Sequence, residues 1–94
     1  MDIGHEQHGL RHIFFIERDG KRVAEQTLSA SPDGKVTIID HTQVDDSLRG
    51  RGVARLLTVN TVEWARRSGT RLVPVCPFAK AIIEKDESLQ DVLA

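Results

Sequence analysis

The 94-residue sequence contains no tyrosine and a single cysteine, Cys76. One cysteine excludes an intrachain disulfide framework, and a reduced, cytoplasmic setting is the default expectation. No apolar run approaches the roughly 18 residues of a membrane-spanning helix. The opening residues, Met1 to His8, lack the basic and apolar regions of a secretory signal. Charge of one sign is also missing: 13 Lys and Arg against 14 Asp and Glu leave a net charge of -1. That balance argues against a basic nucleic-acid binder. What is present, 39% apolar and 29% charged residues, fits a folded chain of one domain rather than a disordered one.

Residues 1–10 are polar and read as a flexible N-terminus, with a single domain over 11–94. Arg11 to Arg18 reads as a strand whose centre, Ile13-Phe14-Phe15-Ile16, is apolar on both faces. Asp19-Gly20 is a two-residue hairpin signal, because a type I′ turn needs positive φ at both positions. Lys21 to Ala30 is the returning strand, Pro32-Asp33-Gly34 a second turn, and Lys35 to Val44 a third strand rich in Val, Thr and Ile. The period then becomes helical. Val53, Leu56, Leu57, Thr61 and Trp64 form a stripe over Val53 to Arg67, which Gly69 closes. Arg71 to Val75 is a short strand. Pro77 suits the first position of a second helix over Phe78 to Lys85. The order is an antiparallel three-strand meander followed by helix, strand and helix. This predicts an α/β (α+β) domain with a mixed sheet, in which the first helix makes a right-handed crossover. Residues 86–94 carry no clear pattern. Trp64 and Phe78 are expected in the core.

Chemistry concentrates in Arg49-Gly50-Arg51-Gly52-Val53-Ala54, between a strand and a helix. The first N–H groups of a helix lack intrahelical partners, and the macrodipole adds positive potential there. Glycines allow close backbone approach, and Arg49, Arg51 and Arg55 add cations suited to phosphate. The residues alone leave two readings, a phosphate cradle or an ordinary glycine-assisted helix start. A Rossmann loop is excluded by the missing third glycine and by the preceding meander, and a Walker A loop by the absence of Gly-Lys-Ser/Thr.

The pattern Arg49-x-x-Gly52-x-Ala54 resembles the acetyl-CoA-binding signature of the Gcn5-related N-acetyltransferases, and the chain is most similar to the minimal single-domain members. The resemblance covers Ile13 to Lys85. It includes Asp19-Gly20, His41-Thr42-x-Val44, Gly50-x-Gly52-Val53-Ala54-x-x-Leu57 and Pro74-x-Cys76-Pro77-Phe78-Ala79. The chain departs from that group at Ile82, where an aromatic residue is usual, and at Asp86-Glu87-Ser88-Leu89.

The resemblance implies acetyl-CoA as ligand and transfer of its acetyl group to an amine acceptor. Backbone N–H groups from Arg49 to Ala54 would hold the pyrophosphate. Main-chain groups of Thr42 to Val44 would pair with the pantetheine arm between two splayed strands and polarise the thioester carbonyl. Ala79 and Lys80 would lie near the ligand. A non-catalytic acyl-CoA-binding or sensing module is the alternative. Larger members often use a tyrosine to protonate the leaving thiolate, and this chain has none. Cys76, at a helix N-terminus where a thiolate is favoured, is the substitute candidate, as acetyl acceptor or proton donor. An inert core cysteine is the other reading. His41 is a candidate general base or a structural histidine. Asp40, Asp45 and Asp46 read as a solvated acidic loop. His5, His8 and His12 form His-x2-His-x3-His, which with Cys76 could make a zinc site, but the spacing has only a partial helical logic and no metal is expected.

Overall fold

In the computed structural model, which describes residues 1–94, Asp19 (φ 54°) and Gly20 (φ 76°) are both left-handed. This type I′ geometry joins β2 (Arg11–Arg18) to β3 (Lys21–Ala30). A second turn leads to β4 (Val36–Val44), antiparallel to β3. A 3-10 turn, Asp46–Leu48, precedes α1 (Val53–Ser68). The chain then forms β5 (Arg71–Pro74), α2 (Pro77–Glu84) and a 3-10 segment, Glu87–Val92. β5 pairs with β4 in parallel, so β4, α1 and β5 form the expected crossover in a mixed sheet. No helix is long and apolar enough to cross a membrane.

The N-terminus departs from the sequence reading. Residues Gly4–His8 form an edge strand, β1, paired antiparallel with β2 from Gly4↔Phe15 to His8↔Arg11. The sheet order is therefore β1-β2-β3-β4-β5. Polar composition conceals this strand because its residue on the helix side of the sheet is His5, which stays exposed. That ring packs against Phe14 and His12, with centroids 4.5 and 5.1 Å away, and meets Trp64 edge-on. Gly4 lies under the Phe15 ring, where a Cβ would collide.

Both helices cover one face of the sheet. Leu28, Ile39 and Leu72 from the strands meet Leu57, Val62 and Ile83 from the helices, and all six are fully buried. Val36, Ile38 and Val73, on the other face, are exposed. The α1 stripe is corrected by one position: Leu56 is exposed, while Thr58 is fully buried beside Leu57. Trp64 is half-buried against the core.

The C-terminal segment closes the β5 edge. Leu93 bridges to Leu72, and the Ala94 N–H donates to the Leu72 carbonyl at 3.0 Å. Asp86 ties this segment to α1 through Arg55 at 2.8 Å. The Ser88 hydroxyl and Arg55 together lower the Asp86 pKa to about 2.

Candidate functional site

The pairing of β4 with β5 stops early. Ile39↔Pro74 is the last matched pair, and the Val75 and Cys76 N–H groups then both donate to the Ile39 carbonyl, at 3.1 and 3.0 Å. Beyond this point the two strands part, because the chain turns into Pro77 and cannot continue the ladder. A bulge at Asp40 helps: Thr27 faces His41 and Leu28 faces Ile39, leaving Asp40 unmatched. β4 continues alone to Val44 with one edge free. The Asp45 N–H donates to Val23 on β3 at 2.8 Å. By strand alternation the N–H and C=O of Thr42 and Val44 point the other way, toward the free edge.

A cleft of about 1020 Å³ opens at this edge. Its walls include Ala24, Thr42, Val44, Leu48, Gly52 and Phe78. At one end lies the start of α1. Gly52, the N-cap, has φ 71° and offers no side-chain cap. The first helical bond runs from Leu56 N–H to the Gly52 carbonyl at 3.0 Å. The N–H groups of Gly52, Val53, Ala54 and Arg55 consequently have no partner in the protein. Four such donors at the positive end of a 16-residue helix have the chemistry that suits an anion.

The loop before them is self-bonded. Arg49 N–H donates to Asp46 at 3.1 Å and Arg51 N–H to Leu48 at 3.3 Å. These two backbone donors, expected to serve a ligand, are occupied. The Arg49 side chain pairs with Asp46 at 2.6 Å and Arg55 with Asp86 at 2.8 Å. Arg51 keeps an exposed guanidinium with no acidic partner. Gly50 (φ 78°) and Gly52 need glycine for their backbone angles, since an added Cβ at either would meet nothing within 4 Å. Asp45, on the rim, is held below the usual carboxylate range chiefly by the Ser47 hydroxyl, 2.6 Å away.

The other expected residues distribute unevenly. Thr42, Val44, Gly50, Gly52, Val53 and Ala54 line the cleft, as does Arg49. Ala79 is fully buried and Lys80 lies 4.0 Å from Glu84; neither forms the cleft wall. His41 alternates with Thr42 and is exposed on the face without helices. Cys76 is 2% exposed, and its thiol donates to the Thr42 hydroxyl at 3.3 Å. It sits behind the wall rather than on it. Phe78, expected in the core, is 65% exposed and lines the cleft. Ala79 and Ile83 hold the inward phase of α2 and turn Phe78 outward.

Sequence reading missed a polar cluster under the cleft. Gln26, Thr58 and Thr61 are all fully buried. The Gln26 amide donates to Thr42 and Thr58 at 3.0 and 3.1 Å, and Thr61 donates to its oxygen at 2.5 Å. The one available signal was a glutamine in the inward phase Ala24-Gln26-Leu28.

Comparison with known proteins agrees with this architecture. The family model described as GCN5-related N-acetyl-transferase matches residues 13–92. Among solved structures, a GCN5-like protein from Staphylococcus aureus is 33% identical, with a TM-score of 0.70 over 97% of this chain and 87% of that one. The fold is shared with a ribosomal-protein-alanine N-acetyltransferase from Brucella melitensis, at 21% identity and TM-score 0.67. That alignment covers 83% of this chain and 62% of the Brucella protein. It is shared too with an aminoglycoside N-acetyltransferase in complex with CoA, at 19% identity and TM-score 0.60, over 93% of this chain and 73% of that one. A search of curated sequences finds no match. The chain belongs to the GCN5-related N-acetyltransferase family.

Proposed function

We propose that the chain binds acetyl-CoA in this cleft and transfers its acetyl group to an amine. The observation that carries the reading is the row of unpartnered N–H groups from Gly52 to Arg55, set beside the free edge of β4. The donors and the α1 dipole suit a pyrophosphate, and Arg51 adds a free cation. The outward main-chain groups of Thr42 and Val44 suit the amides of a pantetheine arm. Acetyl-CoA supplies the activated thioester.

A neutral amine attacks the thioester carbonyl carbon. The C–N bond forms, the C–S bond breaks, and the electron pair leaves on sulfur. The surplus amine proton passes to solvent. Burial of Cys76 behind Thr42 favours direct attack over an acetyl-Cys76 intermediate. His41, on the exposed face, has no part in this route. The β4 edge helps by presenting fixed donors to charge that develops on the carbonyl oxygen.

Calorimetry with CoA and acetyl-CoA, followed by thiol release against a panel of primary amines, tests the reading. Binding of both ligands and amine-dependent release of CoA are expected. No binding at millimolar concentration overturns it. Binding without turnover on any amine indicates a sensing module instead. Intact mass after acetyl-CoA incubation checks the route: a stable acetyl adduct lost in Cys76→Ala would replace direct attack with the covalent one.

A further inference from the structure

We infer that the Thr42 hydroxyl is a hydrogen-bond donor reserved for the carbonyl oxygen of the bound thioester, with Gln26 and Cys76 as the residues that aim it. The assignment rests on the acetyl-CoA reading above and follows from counting protons in the buried cluster.

Thr58 spends its proton on the Ala54 carbonyl, at 2.8 Å. The Gln26 group facing Thr58 at 3.1 Å must then be the amide nitrogen, which fixes the orientation of the side chain. Its second N–H goes to Thr42 Oγ1 at 3.0 Å, while its oxygen accepts from Thr61 at 2.5 Å. Thr42 Oγ1 also accepts from the Cys76 thiol at 3.3 Å. A hydroxyl has two acceptor positions and one proton. With the thiol donating, both acceptor positions of Thr42 are filled from behind, and its own proton has no oxygen or nitrogen acceptor in the protein.

Thr42 is 8% exposed and lines the cleft. A buried donor left without an acceptor is costly, so such a group signals a partner outside the chain. Two bonds to the oxygen also stop the hydroxyl from rotating. The remaining direction is toward the cleft, beside the outward main-chain groups of β4. A donor fixed before the reaction is what stabilises an oxyanion most. Cys76 acts through Thr42 and is a positioning residue.

Infrared spectroscopy of acetyl-CoA carrying a 13C-labelled carbonyl reads this bond without requiring turnover. Bound to the unmodified protein, the carbonyl band is expected below its position in Thr42→Val, which removes the donor at nearly constant shape. Thr42→Ser should restore the lower band and serves as the folded control. Cys76→Ala, which frees the rotor, should give an intermediate position. With an amine substrate, Thr42→Val should lower kcat by about 10²-fold with little change in KM. An unchanged carbonyl band in Thr42→Val at equal acetyl-CoA affinity overturns the assignment alone. Failure of the unmodified protein to bind acetyl-CoA removes the cleft reading, and the assignment with it.

Discussion

His5 Nε2 lies 2.9 Å from His12 Nδ1, across the β1–β2 ladder and against the Trp64 ring. One nitrogen donates and the other accepts, which requires the accepting ring to be neutral and excludes two protonated rings. Burial lowers both pKa values below 6.5, with Arg67 adding to the effect on His5 and His5 to that on His12. The unfolded chain therefore binds more protons than the folded one just below pH 6.5. Stability from this pair is complete above the unfolded value and is lost as pH falls through the lowered folded values. Urea melts between about pH 5 and 7.5 should show stability falling toward acid, in a window above the carboxylate range. His5→Phe, which keeps the aromatic packing and removes a titrating group, should flatten that slope. An unaltered slope in His5→Phe would show that the pair does not set it.

The same residues mark where sequence reading succeeds and where it stops. Asp19-Gly20 was legible because positive φ at both turn positions is a local demand. So was the start of α1 at Gly52, where a glycine and a change of period coincide. β1 was not legible: its inward contact is His5 on Trp64, 59 positions downstream in the chain, and nothing local in Gly4–His8 signals a strand. Leu56 and Leu57 are equally apolar, and only the packing of α1 decides that Leu57 turns inward with Thr58. The cluster that aims Thr42 draws on β3, α1 and the N-cap of α2, so it becomes visible only once the chain has folded.

Phe78 and Trp64 make a contrasting pair. Both are large aromatics, yet Trp64 packs against the core and Phe78 stands in the cleft. Phe78→Ala should change unfolding free energy by no more than about 0.5 kcal/mol, as for an exposed site. Covering part of its ring with a ligand would contribute about 1 kcal/mol, so acetyl-CoA affinity should fall roughly fivefold. Trp64→Ala should do the reverse, costing about 3 kcal/mol of stability. Thermal melts and calorimetry on the two variants separate the roles. A large stability loss in Phe78→Ala would return that residue to the core.

Gly52 carries two demands that different substitutions separate. Its φ of 71° strains any L side chain, although a Cβ there meets nothing within 4 Å. Gly52→Ala should therefore cost about 1–2 kcal/mol through the backbone alone, a melting shift of roughly 4–8 °C per kcal/mol for a domain of this size. Gly52→Asp imposes the same strain and adds a carboxylate beside the free N–H groups of Val53 and Ala54. If those groups receive a pyrophosphate, the carboxylate competes for them and repels the ligand. The two variants should then melt within a few degrees of each other, while Gly52→Asp binds CoA at least tenfold more weakly than Gly52→Ala. Equal CoA affinity in the two would mean that the start of α1 is a helix terminus and nothing more.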